Sequence, residues 1–228
     1  MIPFKLLGSE KLKEKKDKEG ITDYKIDGVF PSSFFLLLIG KPGTGKTTLI
    51  EEMLLNDNIF NSRFDHVIVF SPNLFPNLNL ELEKNYFKSF ELDVLFNILN
   101  NLSEKSQKSE YKNILIIFDD MIADIKKKQY EPLLLKLFFN RRHIIKNGCI
   151  SILMTTQKFI ITPPNIRPCI NSLILFQLNS SEYTSLKNDV CSWIDFKLVT
   201  NSLNNAYDFV YINLTNGSIY KNLQNKLN

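Results

Sequence analysis

Gly40-Lys41-Pro42-Gly43-Thr44-Gly45-Lys46-Thr47 satisfies G-x-x-x-x-G-K-[ST] at every fixed position, and Thr48 follows directly. These residue types at this spacing suit the phosphates of a nucleotide. Gly40, Gly43 and Gly45 let consecutive backbone N–H groups turn toward an anion without a Cβ in the way. A helix that starts beside them adds the partial positive charge of its N-terminus. Lys46 is placed to reach the β- and γ-phosphates, and the Thr47 hydroxyl to ligate Mg²⁺. No D-x-x-G follows the loop and no N-K-x-D is present, which argues against GTP. The expected cofactors are ATP and Mg²⁺.

A second group of residues could complete a hydrolytic site. Ile114-Leu115-Ile116-Ile117-Phe118 is an apolar run that ends in Asp119 and Asp120. A buried strand that ends in carboxylates places them at the C-terminal edge of a sheet, where open α/β folds bind ligands. Asp119 is the candidate for holding hydrated Mg²⁺. Asp120 is the candidate for orienting or deprotonating the attacking water. A strand that merely meets solvent can also end in acids, and the phosphate loop upstream favours the catalytic reading. A later apolar run ends in Thr155-Thr156-Gln157. A glutamine at that edge can hydrogen-bond the γ-phosphate or its water, although a lone strand-terminal Gln is more often simply solvated.

Arg141-Arg142-His143 holds two of only four arginines in a chain with 28 Lys and Arg. Guanidinium groups near a helix C-terminus can neutralise its dipole. They can also act as an arginine finger on a γ-phosphate, and a finger supplied in trans implies an oligomer. His66 and His143 are the only histidines, too few for a histidine-built metal site.

The elements that must position these groups follow from periodicity. Short apolar runs predict strands at Phe34–Ile39, His66–Phe70, Ile114–Phe118, Ile150–Thr155, Ser172–Leu178 and Phe209–Asn213. Helical patterns cover Thr47–Asn56, Leu92–Leu102 and Pro132–Asn147, with Pro132 suited to a first turn and Gly148 to a stop. Strands apolar on both sides, alternating with helices, predict a mostly parallel sheet covered on both faces. Thr215-Asn216-Gly217-Ser218 predicts a tight C-terminal β-hairpin with a two-residue loop. No repeat or linker divides the chain. The expected organisation is a charged arm over residues 1–30, containing the run Lys11–Glu19, and one P-loop domain over residues 31–228.

Composition narrows the class. Hydrophobic residues make up 44% and charged residues 23%, which suits a globular chain. A net charge of +4 permits a nucleic-acid partner without requiring one. Cys149, Cys169 and Cys191 show no CxxC pairing, which argues for a reducing compartment. The first twenty residues hold no apolar stretch of signal-peptide length, and Phe34–Ile39 falls far short of the roughly 20 residues of a bilayer span. A soluble intracellular protein with no membrane span is expected.

The phosphate loop, the ILIIFDD strand, the block FFNRRHIIKNGCISILMTTQ and the segment PPNIRPCINSLILFQL together resemble the FtsK–HerA ATPases. The resemblance is greatest to the poxvirus-type DNA-packaging ATPases of nucleocytoplasmic large DNA viruses and their virophage relatives. It runs from about Ser32 to Tyr220. It implies a RecA-like core of the ASCE type with strand order 5-1-4-3-2. It also implies a homo-oligomeric ring, a hexamer or pentamer, that drives double-stranded DNA into a capsid with capsid or portal-vertex proteins as partners. Its setting would be the viral factory in the host cytoplasm, and the virion. Carried over by position, Lys46 and Thr47 bind nucleotide, Asp119 binds Mg²⁺ and Asp120 is the catalytic acid. Gln157 is the sensor glutamine; Arg142 is the first choice for a trans finger and Arg141 the second. The broad superfamily commonly has Glu where this chain has Asp120, one methylene shorter, which favours water positioning over direct base action.

Two other readings use the same loop. A small P-loop nucleoside or nucleotide kinase would need several lid arginines, and this chain offers few outside Arg141 and Arg142. A non-translocating, ATP-dependent assembly protein would use the site as a switch, and DNA-stimulated hydrolysis separates it from a motor.

Overall fold

The computed structural model describes residues 29–61, 63–73, 75, 86–107, 113–145 and 148–227. The arm up to residue 28, with its charged run, lies outside them. In chain order the strands and helices begin with β1 (Phe35–Ile39), α1 (Lys46–Leu55), β2 (His66–Phe70), β3 (Tyr86–Phe87), α2 (Leu92–Gln107) and β4 (Asn113–Phe118). Next come α3 (Ile122–Ile125), α4 (Glu131–Asn140), β5 (Cys149–Thr156), β6 (Ser172–Leu175), α5 (Ser180–Asp189) and α6 (Phe196–Ser202). The chain closes with β7 (Val210–Asn213), β8 (Ile219–Lys221) and β9 (Asn225–Lys226).

The described strands form one mixed sheet in the order β3-β2-β4-β5-β1-β6-β7-β8-β9. All pairings from β3 to β6 are parallel, and β7, β8 and β9 add antiparallel strands at one edge. Among β1, β2, β4, β5 and β6, numbered in chain order, this is the expected 5-1-4-3-2.

Every residue of β1 is buried. Side chains alternate between sheet faces, so Phe35, Leu37 and Ile39 enter one apolar cluster while Phe34, Leu36 and Leu38 enter the other. The first cluster includes Leu95 and Leu99 of α2 and Leu134, Leu137 and Phe138 of α4; the second includes Leu49, Ile50 and Met53 of α1. Each such side chain contributes about 1.5–3 kcal/mol on burial. The sheet is thereby clamped between helical layers, and its C-terminal edge is a fixed platform.

Differences from the expected elements have local causes. The helix expected over Pro132–Asn147 stops at Asn140, because the Arg141 carbonyl accepts from Ile150 N (2.9 Å) and turns the chain into β5. Ile145 then packs into the core within an irregular turn. The hairpin forms, but its loop spans four residues, not two. Asn213 N donates to Ser218 O (2.9 Å), and the Asn213 side chain accepts from Thr215 N (2.9 Å) and Asn216 N (3.3 Å). That side-chain turn fixes the longer loop. Residues 29 and 30 belong to the packed domain. The Val29 carbonyl accepts from Tyr211 Oη (2.8 Å) and Asn213 Nδ2 (2.9 Å), and Phe30 is buried against Phe34, Phe60 and Tyr211.

Candidate functional site

The phosphate loop joins the end of β1 to α1. Gly45 stands at the head of α1 with φ +89° and Gly43 has φ +77°, a region that side chains disfavour. Gly40 is required for a different reason. A Cβ there would sit 2.5 Å from Thr44 Oγ1 and 2.9 Å from Phe176 Cδ2. Lys46 Nζ folds over the loop and donates to Gly40 O (2.7 Å) and Lys41 O (3.0 Å). Burial draws its ammonium below the usual lysine value, and the charges of Asp119 and Asp120 oppose that shift. Lys41, Pro42 and Gly43 are exposed along the rim, and Thr44 Oγ1 donates to Lys41 O (2.9 Å). Thr48 is half-buried in the first turn of α1.

Strand register brings the acids to this loop. Phe118 pairs with Phe70 and with Met154, so one residue further Asp119 lies between Ser71 and Thr155. Asp119 is 1% exposed and accepts three hydroxyl donors. Thr155 Oγ1 donates to Oδ1 (2.9 Å), while Ser71 Oγ (3.1 Å) and Thr47 Oγ1 (3.2 Å) donate to Oδ2. A buried carboxylate requires such partners. Asp120 is exposed, has φ +56°, and donates its N–H to Thr155 Oγ1 (2.9 Å). Tyr86 Oη lies within hydrogen-bond distance of Ser71 O (2.7 Å) and Asn73 O (2.6 Å), tying β3 to the same turn. Burial, and then the nearby Asp119 charge, raise the Tyr86 phenol above its ordinary value.

Ile39 pairs with Thr156, and Gly40 N donates to Thr156 O (3.1 Å), so Gln157 is the next residue out beside the loop, with its side chain exposed. Arg141 and Arg142 lie elsewhere. They precede β5, whereas the phosphate loop follows β1, and these strands are parallel. The arginines therefore stand at the opposite edge of the sheet, across the length of an eight-residue strand, about 26 Å at ~3.3 Å per residue. Arg141 is buried, and its Nη1 caps α4 through Phe138 O (2.7 Å). Burial, and then the charge of Arg142, draw its guanidinium below the usual arginine value. Arg142 is exposed. Neither arginine can reach the phosphate loop of its own chain.

Ser71 and Thr155 are the site residues that sequence reading passed over as such. Their signal was the strand order: β4 lies between β2 and β5, and Ser71 and Thr155 each end an apolar stretch of those neighbours.

The family model described as Poxvirus A32 protein matches residues 22–208. The chain belongs to that family. No curated protein matches it in sequence. The A32-family fold is shared with solved structures of low identity. The genome packaging NTPase B204 from Sulfolobus turreted icosahedral virus 2, in complex with ATP-gammaS, is 15% identical with a TM-score of 0.61. That match covers 84% of this chain and 97% of the other. B204 from Sulfolobus Turreted Icosahedral Virus, described as the DNA-packaging ATPase, is 15% identical with a TM-score of 0.60, covering 84% and 98%. EssC (ATPases 2 and 3) from Geobacillus thermodenitrificans is 15% identical with a TM-score of 0.53, covering 83% of this chain and 39% of that one.

The donors at the A32-type site suit Mg²⁺. They are hard oxygens, the Thr47 hydroxyl and the Asp119 carboxylate, already within 3.2 Å of one another. Mg²⁺ is commonly held by one or two carboxylates together with substrate phosphates and water, not by an all-protein cage. Among the described residues, no helix is long and apolar enough to cross a membrane.

Proposed function

We propose that this A32-family chain is an ATPase that drives double-stranded DNA into a capsid. The observation that carries the reading is Asp119, which meets the phosphate-loop hydroxyl of Thr47 and lies beside Asp120 at the same sheet edge. Relatives of the same fold named as genome-packaging NTPases, one of them holding an ATP analogue, support it.

In this reading the backbone N–H groups of Gly43–Thr48 and the Lys46 ammonium bind the phosphates of ATP. Thr47 and Asp119 would hold Mg²⁺, which when bound would supply charge neutralisation to the phosphate oxygens. Asp120 orients the attacking water, and its exposure leaves the carboxylate free to do so. Gln157, exposed one residue beyond Thr156 beside the loop, serves as the sensor of the γ-phosphate. Arg142 serves the neighbouring subunit as a trans finger, because its own site is out of reach. A finger supplied in trans requires an oligomer, and the family resemblance makes that oligomer a ring of five or six copies, with capsid or portal-vertex proteins as its docking partners in the viral factory. The exposed Lys126, Lys127 and Lys128 follow the acids by way of α3 and offer positive charge to DNA phosphates.

The test is steady-state ATP hydrolysis by the purified chain with and without double-stranded DNA. Mg²⁺-dependent turnover that DNA accelerates is the expected result. Turnover indifferent to DNA would instead support an assembly switch.

A further inference from the structure

The end of β5 does more than carry Gln157. Thr155 is 1% exposed, and its hydroxyl touches both acids. The direction of the two bonds is determined by chemistry. An ionised carboxylate only accepts, so the single hydroxyl proton of Thr155 goes to Asp119 Oδ1 (2.9 Å). The Thr155 oxygen then accepts from the Asp120 N–H (2.9 Å). One side chain thereby holds Oδ1 of the buried acid and the backbone of the exposed one.

We propose that Thr155 is the positioning residue that sets the geometry of Asp119 and Asp120 together, which deepens the ATPase reading above and rests on it. Asp120 has φ +56°, a conformation that L residues adopt at a cost and keep only where surroundings enforce it. Among the described residues, the Thr155 hydroxyl is the side-chain group that holds this backbone. Ser71 and Thr47 cannot substitute, because both donate to Oδ2 and neither reaches Asp120. A β-branched residue suits the task, since its χ1 is stiff and keeps the hydroxyl aimed. The next residue adds a third tie, from Thr156 O to Gly40 N (3.1 Å). The last two residues of β5 thus hold both acids and the first glycine of the phosphate loop to one scaffold, directly before Gln157.

The test compares Thr155→Val, Thr155→Ala and Thr155→Ser in the full chain. It measures steady-state kcat and KM for Mg²⁺·ATP and affinity for a fluorescent ATP analogue. Val and Ala should lower kcat by about 10²-fold, the scale of a ~1 Å misplacement of catalytic groups. KM and analogue affinity should change far less than kcat, because the phosphate loop is untouched and Ser71 and Thr47 still hold Asp119 Oδ2. Ser keeps the hydroxyl and should recover most of kcat. Should Val pack too poorly to fold, Ala and Ser carry the comparison. Wild-type kcat in the Val or Ala variant overturns the proposal. So does a Ser variant as slow as Ala, which would make the methyl group the important part. If wild-type protein itself turns over no ATP, the ATPase reading fails and takes this proposal with it.

Discussion

The Thr47 hydroxyl donates to Asp119 Oδ2 across 3.2 Å, joining two segments 72 residues apart. The strands behind them, β1 and β4, are not neighbours; β5 lies between. The end of β5 bridges the gap, since Thr155 Oγ1 donates to the other oxygen of the same carboxylate (2.9 Å). It makes a single site of the phosphate loop and the acid strand.

Lys46→Ala should abolish hydrolysis while sparing the fold. Its ammonium bonds only loop carbonyls, Gly40 O and Lys41 O, so little of the core depends on it. Turnover should fall by at least about 10²-fold. The melting temperature should move by no more than about 2–4 °C, roughly 1 kcal/mol for a chain of this size. Turnover near wild type would dissociate the loop from the chemistry.

Asp120→Asn should slow hydrolysis about 10²-fold or more and leave nucleotide affinity nearly unchanged. Asn tolerates positive φ as well as Asp does, so the backbone at +56° is not further strained. Single-turnover rates set against equilibrium binding separate the two effects. Lost affinity with unchanged turnover per bound ATP would exchange the roles of the two acids.

Arg142→Ala and Lys46→Ala proteins, each inactive alone, should regain partial activity when mixed before ATP is added. At a mixed boundary the Lys46→Ala subunit lends its Arg142 to an intact phosphate loop next door. A trans finger is worth about 10³–10⁵ in rate. Co-assembly demonstrated by size, with no recovered turnover, would leave Arg142 without a role in catalysis.

Asp208→Asn should destabilise the fold by about 1–3 kcal/mol near neutral pH, the cost of losing charge-assisted bonds. Asp208 accepts from Asn222 Nδ2 (2.9 Å), Lys221 Nζ (3.0 Å) and Asn205 N (3.0 Å), closing the strand β8 onto the loop before β7. Burial pushes its carboxyl up, but those partners outweigh burial and hold it below the ordinary value. A carboxyl lowered in the folded state stabilises above its unfolded pKa, about 3.9, and that contribution is lost as pH falls through the folded value. Denaturant melts should therefore show wild type and variant converging below about pH 4. A gap constant from pH 7 to pH 3 would contradict the assignment.

Local chemistry was legible in the sequence wherever neighbours along the chain suffice. The phosphate loop needs only consecutive residues, so Gly40–Thr48 could be read directly. The apolar runs of β1, β2, β4 and β5 are buried on both faces, and burial on both faces leaves a continuous signature. Helices α5 and α6 escaped notice because only a few of their residues, such as Tyr183, Leu186 and Val199, meet the core. Strand β3 has two residues and no pattern to read.

Tertiary structure alone decided which hydroxyls surround Asp119. Ser71, Thr155 and Thr47 come from three separate segments, and sheet register brings them within 3.2 Å. It also divided the arginine pair. The sequence shows Arg141 and Arg142 as equals, but the turn into β5 buries Arg141 against the end of its own helix and leaves Arg142 in solvent. Adjacent residues in a turn point different ways, and only the packing of the chain around that turn determines which one a neighbour can meet.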